Sequence, residues 1–179
     1  MFEIDKSIVV VIDVQGRLAH MMHAKEDLFH HIRIMIQAAH IMQLPLLWVE
    51  QYPKGLGHTI PEIAELLTQQ KAFEKNTFSA VGCDAFNQAL IDSGRSQCII
   101  TGIETHVCVY QTVLDLLEKN FQVVVNQQAV SSRLESNKAL GLQRMQSAGA
   151  LISSTEMVLF ELMRTAEYPH FRQISALLK

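Results

Sequence analysis

One cysteine of this sequence lies where a thiol can act as a nucleophile. The apolar run at residues 98–101 ends at Gly102, polar residues follow, and Cys108 then precedes a segment with helical apolar spacing at residues 109–119. This order predicts a buried strand that turns into a helix, with Thr105 as the N-cap and Cys108 at the third helical position. The positive helix end and its unpaired N–H groups favour a thiolate there. A small buried hydrophobe is the alternative interpretation of this cysteine, and this stretch alone does not decide between the two.

A carboxylate and a lysine are the other candidate groups. Asp13 directly follows the β-branched run at residues 7–12, and α/β proteins gather their ligand sites at the carboxyl ends of such buried strands. The alternative for Asp13 is a carboxylate that turns the chain or caps a backbone group. Lys75 lies in a short extended piece between Phe73 and Phe78, and taken alone it is interpreted as a surface lysine.

Strands and helices alternate along the chain in an order that would bring these groups together. Strands or short extended pieces are predicted at residues 7–12, 46–49, 73–79, 98–101, 121–125 and 150–152, and helices at 24–43, 61–70, 84–93, 109–119, 136–147, 153–163 and from 169 onward. Residues 127–135 are predicted to form a loop. This order predicts an α/β fold with three α/β/α layers around a doubly wound, mostly parallel, six-stranded sheet of Rossmann-like type. The strands before Asp13 and before Cys108 would be neighbours at the switch point, so a carboxylate would lie near a helix-end thiol.

Composition narrows the class of protein. The chain has 179 residues, of which 49% are hydrophobic and 18% charged, and we expect a single globular domain over residues 1–179. A net charge of −3 without a basic patch disfavours a nucleic-acid partner, and no apolar run reaches the roughly 18 residues of a membrane span. The three cysteines (Cys83, Cys98 and Cys108) lack paired spacing and predict neither disulfides nor a zinc site. Together with an N-terminus that does not resemble a signal peptide, they favour the cytoplasm.

Two features that could suggest cofactor sites are interpreted otherwise. The irregular stretch at residues 51–59 contains Gly55 and Gly57, but their spacing and position match neither a dinucleotide fingerprint nor a phosphate-binding loop. We expect a mobile loop over the site there. The histidines in and before the helix at residues 24–43 share no metal-binding face and are interpreted as solvated surface.

Several separated motifs resemble those of one known family. They include Val-Ile-Asp-Val-Gln at 11–15, Glu-Lys-Asn-Thr-Phe-Ser at 74–79 and Gly-Ile-Glu-Thr-His-Val-Cys at 102–108, and later motifs follow at 141–150 and 154–162. On these motifs, which span nearly the whole chain, the sequence resembles the isochorismatase-like cysteine hydrolases. That family includes nicotinamidases and N-carbamoylsarcosine amidase. The later motifs look like those of the small isochorismatase-domain proteins rather than those of the nicotinamidases.

The resemblance implies a catalytic triad of Asp13, Lys75 and Cys108, and so a role for Lys75 that its local sequence does not indicate. It also implies a cis peptide between Ile103 and Glu104, and an oxyanion hole formed by the backbone N–H groups of Glu104 and Cys108. Such a site would hydrolyse a C–N bond of a small amide or carbamoyl-type substrate through a thioester. Lys75 and the helix end would stabilise the thiolate, and Asp13 would accept the thiol proton.

The sequence departs from the nicotinamidases in the region that holds their metal. Their Asp and two His after the second strand have no matching pattern at residues 50–58, so we expect no catalytic metal and no cofactor. The candidates for the substrate pocket are Gln15, Tyr52, Phe78, His106 and Tyr110. Plain packing or surface exposure is an equal alternative for each of them.

Two other functions stay open at this point. The chain could be a non-catalytic small-molecule-binding or scaffold protein that keeps the site geometry. It could also be an isochorismatase-type vinyl-ether hydrolase, a reaction that in this family proceeds without the cysteine. Apolar loops, the C-terminal amphipathic helix and the resemblance favour a homo-oligomer that acts on a small molecule, without a membrane or nucleic-acid partner.

Overall fold

A parallel sheet forms the centre of the protein. Within residues 1–68 and 71–179, which the computed structural model describes, the strands are β1 (Ser7–Ile12), β2 (Leu46–Gln51), β3 (Phe73–Lys75), β4 (Gln97–Ile103), β5 (Gln122–Ser131) and β6 (Leu151–Ser153). Their order across the sheet is β3-β2-β1-β4-β5-β6, and every neighbouring pair is parallel. The strand order reverses at β1. The predicted fold class, with its switch point between β1 and β4, is therefore confirmed.

Helices cover both faces of the sheet. They are α1 (Gly16–Ala19), α2 (Lys25–Met42), α3 (Pro53–Leu56), α4 (Pro61–Ala64), α5 (Asp84–Asp92), α6 (Tyr110–Glu118), α7 (Glu135–Ser147), α8 (Thr155–Met163) and α9 (Phe171–Leu177). One apolar cluster joins the sheet to α2, α8 and α9, and the other joins it to α5, α6 and α7. Among the described residues, no helix has both the length and the apolar character needed to cross a membrane.

Strand β1 packs against an apolar cluster on each face and pairs with another strand on each edge. Val9 and Val11 belong to the cluster that contains α2, whereas Ile8, Val10 and Ile12 belong to the cluster that contains α5, because successive side chains of a strand point to opposite faces. Each such side chain, when fully buried, contributes about 1.5–3 kcal/mol relative to exposure. β2 and β4 pair with the two edges of β1. The residue that follows β1 therefore has a well-defined position.

The fifth strand continues well beyond the predicted end at residue 125. Its second half occupies part of the predicted loop at 127–135, which was wrong over these residues. Ala129 and Val130 are buried, and pairing with β4 resumes there after a register shift. The buried side chain of Asn126 donates a hydrogen bond to Thr155 Oγ1 (2.8 Å). Polar residues suggested a loop, but tertiary hydrogen bonds satisfy them within a strand.

The stretch predicted as a loop at residues 51–59 contains regular structure and hydrogen bonds to the segment after β1, and we call residues 52–60 the roof. It contains helix α3, and an antiparallel bridge joins Gln15 to Thr59. The Gly16 N–H donates to His58 O (3.1 Å), and the Ile60 N–H donates to Val14 O (3.0 Å). The predicted helix at 61–70 is described as α4 over Pro61–Ala64, and its end at residues 69 and 70 lies outside the described residues.

The close approach of β1 and β4 beside the switch point yields a stability prediction. A Cβ at Gly102 would clash with the backbone of Ile12, and Gly102 has φ = +116°. Gly149 has a similar φ of +110° but open space around it. Gly149→Ala should therefore cost only the backbone strain, of order 1–3 kcal/mol. Gly102→Ala should lower the free energy of unfolding by clearly more, measured by urea denaturation. Equal losses in the two variants would contradict the close packing of β1 against β4.

Candidate active site

Asp13 lies at the switch point, immediately after β1. Its backbone has φ = +51°, a conformation that Asp and Asn adopt more readily than most residues. Its N–H donates to Val49 O (3.2 Å), which holds the turn against β2. Its side chain is 5% exposed, and Oδ2 accepts a hydrogen bond from Lys75 Nζ (2.7 Å). Oδ1 is buried and has no hydrogen-bond partner among the described residues.

Lys75 is the last residue of β3, where it pairs with Gln51 of β2. Its side chain is 0% exposed. Besides Asp13, Nζ donates to Gln51 Oε1 (2.7 Å) and Phe78 O (2.9 Å), and it lies 3.2 Å from Thr77 O. The surface interpretation of this lysine is therefore wrong, because these acceptors come from three different segments that only the fold brings together.

Cys108 follows β4 in a turn that differs from the predicted one. Residues Thr105–Val109 form a single turn of π-helix, and α6 begins only at Tyr110. Thr105 lies inside this turn and makes no capping hydrogen bond, so the predicted N-cap and the third helical position of Cys108 are wrong. Such π turns are frequent at functional sites. Thr112 Oγ1 donates to Cys108 O (2.7 Å), which helps to anchor the cysteine to α6.

A cavity of about 120 Å³ lies between these groups and the roof, and it has room for roughly four water molecules. Asp13 and Cys108 both line it. The other lining residues come from the segment between β1 and α1, from α1, β2 and α3, from the segment after β3, and from β4 through the π turn: Gln15, Leu18, Gln51, Leu56, Phe78, Ile103, Glu104 and Val107. Lys75 lies behind this wall, where its ammonium contacts three of the lining residues, Asp13, Gln51 and Phe78.

Burial dominates the electrostatics of this site. Burial raises the pKa of Asp13 above its usual value, although the Lys75 ammonium and its hydrogen bond oppose the shift. Burial, together with the charge of Asp13, raises the pKa of Cys108 to about 12, although the charge of Lys75 again opposes it. The expected stabilisation of a free thiolate is therefore wrong for this site. Cys108 holds its proton, and the nearby carboxylate is the group that can receive it.

Glu104 connects the cavity to the segment after β5. The peptide between Ile103 and Glu104 is cis. The side chain of Glu104 accepts hydrogen bonds from the backbone N–H (3.2 Å) and from Nε (3.1 Å) of Arg133. Its carbonyl oxygen accepts from Val107 N–H (3.0 Å) and Val109 N–H (3.3 Å). Among the described residues, the Glu104 N–H donates to no acceptor and the Cys108 N–H does not bond to Glu104 O.

The other predicted pocket residues separate into two groups. Gln15 and Phe78 line the cavity of Cys108. Tyr52 is exposed and borders a neighbouring depression, Tyr110 packs under the guanidinium of Arg144 (4.7 Å), and His106 Nδ1 bonds to Ser132 Oγ (2.9 Å). None of these three contributes to the cavity.

Glu50, which precedes the roof, and His58, which lies within it, form a structural contact. Glu50 is buried and accepts hydrogen bonds from Thr59 N–H (2.7 Å) and Thr59 Oγ1 (2.8 Å), and its other oxygen lies 3.0 Å from His58 Nδ1. These bonds lower the pKa of Glu50 although burial opposes them. In the described part of the chain, no group of three or more His, Cys, Asp or Glu residues has the geometry to hold a metal ion. Glu50 thus fastens the roof to β2.

Sequence reasoning missed four residues of the site, and one of them, Val107, is an apolar neighbour of Cys108 in the π turn. Gln51 ends β2 just as Asp13 follows β1, so a polar residue at a buried strand end was an available signal. Leu18 and Leu56 are apolar residues in short helices and carried no such signal. Their contact with the cavity depends on how α1 and α3 pack together.

Known proteins similar to this chain share both its sequence pattern and its fold. The isochorismatase domain model matches residues 7–157. Isochorismatase family protein 1A of Dictyostelium discoideum is 33% identical over 172 residues, which are 94% of this chain and 84% of that protein. A solved structure described as MAR1 ribonuclease from Caenorhabditis elegans is 33% identical, with a TM-score of 0.91 over 99% of this chain and 91% of that one. The YcaC gene product of Escherichia coli, described as an octameric hydrolase of unknown specificity, is 23% identical, with a TM-score of 0.89 over 99% of this chain and 86% of that one.

The causes of the thiol pKa predict the effect of removing the Asp13 charge. Asp13→Asn keeps the size of the side chain and suits its positive φ. It should lower the pKa of Cys108, because the carboxylate raises that pKa while Lys75 lowers it. We expect the midpoint of the alkaline pH profile for alkylation of Cys108 by iodoacetamide to move to lower pH, measured by peptide mass spectrometry. The pKa of Cys98 is raised to about 12 by burial alone, so its profile should not change. A midpoint at higher pH in Asp13→Asn would contradict this electrostatic account.

Proposed function

The chain belongs to the isochorismatase family and is a hydrolase, and from this premise we propose that it cleaves a C–N bond of a small amide or carbamoyl-type substrate through a thioester on Cys108. The observation that carries the proposal is the hydrogen bonding of the Asp13 carboxylate. One carboxylate oxygen is held by Lys75 at 2.7 Å, and the other has no partner and belongs to a residue that shares a cavity with Cys108. A thiol, a base and a group that orients the base are the parts that nucleophilic catalysis requires.

In the first half of the proposed reaction, the Cys108 sulfur attacks the carbonyl carbon while its proton passes to Asp13 Oδ1. The raised pKa of Asp13 makes that carboxylate a better proton acceptor, and the neighbouring ammonium of Lys75 compensates the negative charge in the site. The backbone N–H groups of Glu104 and Cys108 are the proposed donors to the oxyanion. The C–N bond then breaks, and Asp13 returns the proton to the leaving nitrogen.

In the second half, water takes the place of the leaving amine. Asp13 accepts a proton from this water as its oxygen attacks the thioester carbonyl. The C–S bond breaks, the sulfur regains a proton, and a carboxylic acid leaves. The sum is amide plus water to acid plus amine, so the proposed cycle consumes no other reactant.

RNA hydrolysis is the competing function that the comparisons raise, because the C. elegans structure with 33% identity is described as a ribonuclease. A cavity of about 120 Å³ is smaller than the 150 Å³ cavity that holds a single benzene ring, so it is too small to enclose a whole nucleoside. The net charge of −3 also provides no attraction for a polyanion. We therefore propose the amide reaction and treat RNA as a substrate to be tested beside it.

The proposed nucleophile predicts a covalent intermediate. Wild-type protein incubated with a panel of small amides and carbamoyl compounds should gain the mass of the acyl group at Cys108. Cys108→Ala should remain folded, lose the adduct and lose turnover by roughly 10⁴-fold, because one member of a unit that acts together has been removed. Intact-mass spectrometry and release of ammonia measure the two effects.

Three outcomes would instead favour another function. Vinyl-ether hydrolysis that persists in Cys108→Ala would support the cysteine-independent reaction. Cleavage of RNA that requires Cys108 would support a ribonuclease. Absence of any turnover that depends on Cys108 would support a binding or scaffold role.

The raised pKa of Asp13 predicts the acid limb of the pH profile. The proposed base must be ionised, and it is protonated below its pKa, so kcat/KM should fall as pH drops through a midpoint above the usual 3.8 of Asp. Lys75→Met removes the cation that holds this pKa down, so the midpoint should move to higher pH. Lys75→Arg keeps the charge and serves as the control, with circular dichroism as a check of folding. An unchanged midpoint in folded Lys75→Met would argue against Asp13 as the base.

A further inference from the structure

The polar side chains around the cavity are occupied by contacts within the protein. Gln15 Oε1 accepts from Gln51 N–H (2.6 Å), and Gln15 Nε2 donates to Gln51 O (3.0 Å) and Gly57 O (2.7 Å). Both hydrogens of this amide are thus used. Gln51 Oε1 accepts from Lys75 and its Nε2 donates to Asn76 O (2.9 Å), so its remaining hydrogen is a single neutral donor.

Lys75 has no hydrogen to offer a ligand. An ammonium carries three hydrogens. Asp13 Oδ2, Gln51 Oε1 and Phe78 O lie 2.7, 2.7 and 2.9 Å from Nζ and account for all three. The charge of Lys75 is therefore balanced by Asp13 and lies behind the cavity wall.

The remaining charges do not favour an anion either. The carboxylate of Glu104 faces Arg133, whose side chain is 53% exposed and is absent from the cavity lining. Asp13 Oδ1 is a buried acceptor without a partner. A carboxylate brought into this space would meet negative oxygens without a cation of its own, and an unpaired buried charge is strongly unfavourable.

Most of the wall is apolar. Its side chains are those of Leu18, Leu56, Phe78, Ile103 and Val107. The volume of about 120 Å³ lies somewhat below that of a cavity that holds benzene, so the bound group has at most about six heavy atoms. From these contacts we infer that the site selects small uncharged amides with an apolar acyl group and rejects carboxylate-bearing substrates of the same size. This inference rests on the proposed function for the reaction but on the cavity alone for the selectivity.

A matched pair of alkylating reagents tests the selectivity without requiring turnover. Iodoacetamide is neutral and iodoacetate is anionic, and both transfer a two-carbon group to sulfur with loss of iodide. The ratio of their rates at Cys108 should exceed the same ratio at the more exposed Cys83 by at least about 10-fold. Peptide mass spectrometry reads both cysteines in the same molecule, so Cys83 serves as the internal control. A ratio at Cys108 equal to or below that at Cys83 would overturn the inference.

A cation introduced at the cavity should weaken the preference for the neutral reagent. Leu56 lies at the end of α3 and is partly exposed, so Leu56→Arg places a cation at the mouth. The ratio of the iodoacetamide rate to the iodoacetate rate at Cys108 should then fall by about 10-fold, while the same ratio at Cys83 stays unchanged. Ile91→Arg, on the exposed face of α5, adds the same charge elsewhere and should change neither ratio. Equal effects of the two variants would show that net charge, and not the cavity, decides the selectivity.

Substrate kinetics separate this inference from the proposed function. Isobutyramide should be hydrolysed with a kcat/KM at least 100-fold above that of oxamate, which has the same number of heavy atoms but a carboxylate in place of the isopropyl group. Faster turnover of oxamate that depends on Cys108 would overturn the selectivity and leave the cysteine hydrolase in place. Absence of turnover for every amide, together with the predicted alkylation ratio, would overturn the reaction and leave the selectivity in place.

Discussion

The buried ion pair between Asp13 and Lys75 is the interaction on which the site depends. Both side chains are almost completely withdrawn from water, and such a pair is stable only when further hydrogen bonds satisfy its remaining atoms. Gln51 and the carbonyl of Phe78 supply these bonds to the ammonium. Removal of one partner from a buried pair typically costs about 3–5 kcal/mol, and this pair, with Gln51, links residues at the ends of β1, β2 and β3. Only one atom of the pair, Asp13 Oδ1, stays without a partner in the described chain.

The roof is part of the same construction. Gln15 follows Asp13 closely in sequence and uses its whole amide to join the end of β2 to Gly57. Glu50 holds the far end of the roof through Thr59. The segment that closes the cavity is thus bonded to the residues that position Lys75. A substitution in the roof should therefore affect the positions of Lys75 and Asp13 as well as the opening of the cavity.

The thiol illustrates why a helix position alone does not decide reactivity. The local pattern favoured a thiolate at Cys108, yet burial and the nearby Asp13 charge keep the proton on sulfur. The raised pKa of Cys108 describes the loss of its proton to solvent. Transfer from sulfur to Asp13 leaves the net charge of the site unchanged, and the burial that raises the pKa of Asp13 favours that transfer. The site therefore suits a thiol that loses its proton only as it attacks.

The sequence by itself determined the features that a local pattern encodes. Runs of β-branched residues located the strands, their alternation with helices indicated the parallel sheet, and an ionisable residue after a buried strand identified Asp13. The motif resemblance added Lys75. The tertiary structure decided what depends on residues distant in sequence: the π turn at Cys108, the continuation of β5, the place of Gln51 and the apolar wall from Leu18 and Leu56. Such contacts form only when separate elements pack together, so their hydrogen bonds and burial leave no periodic signal in the sequence.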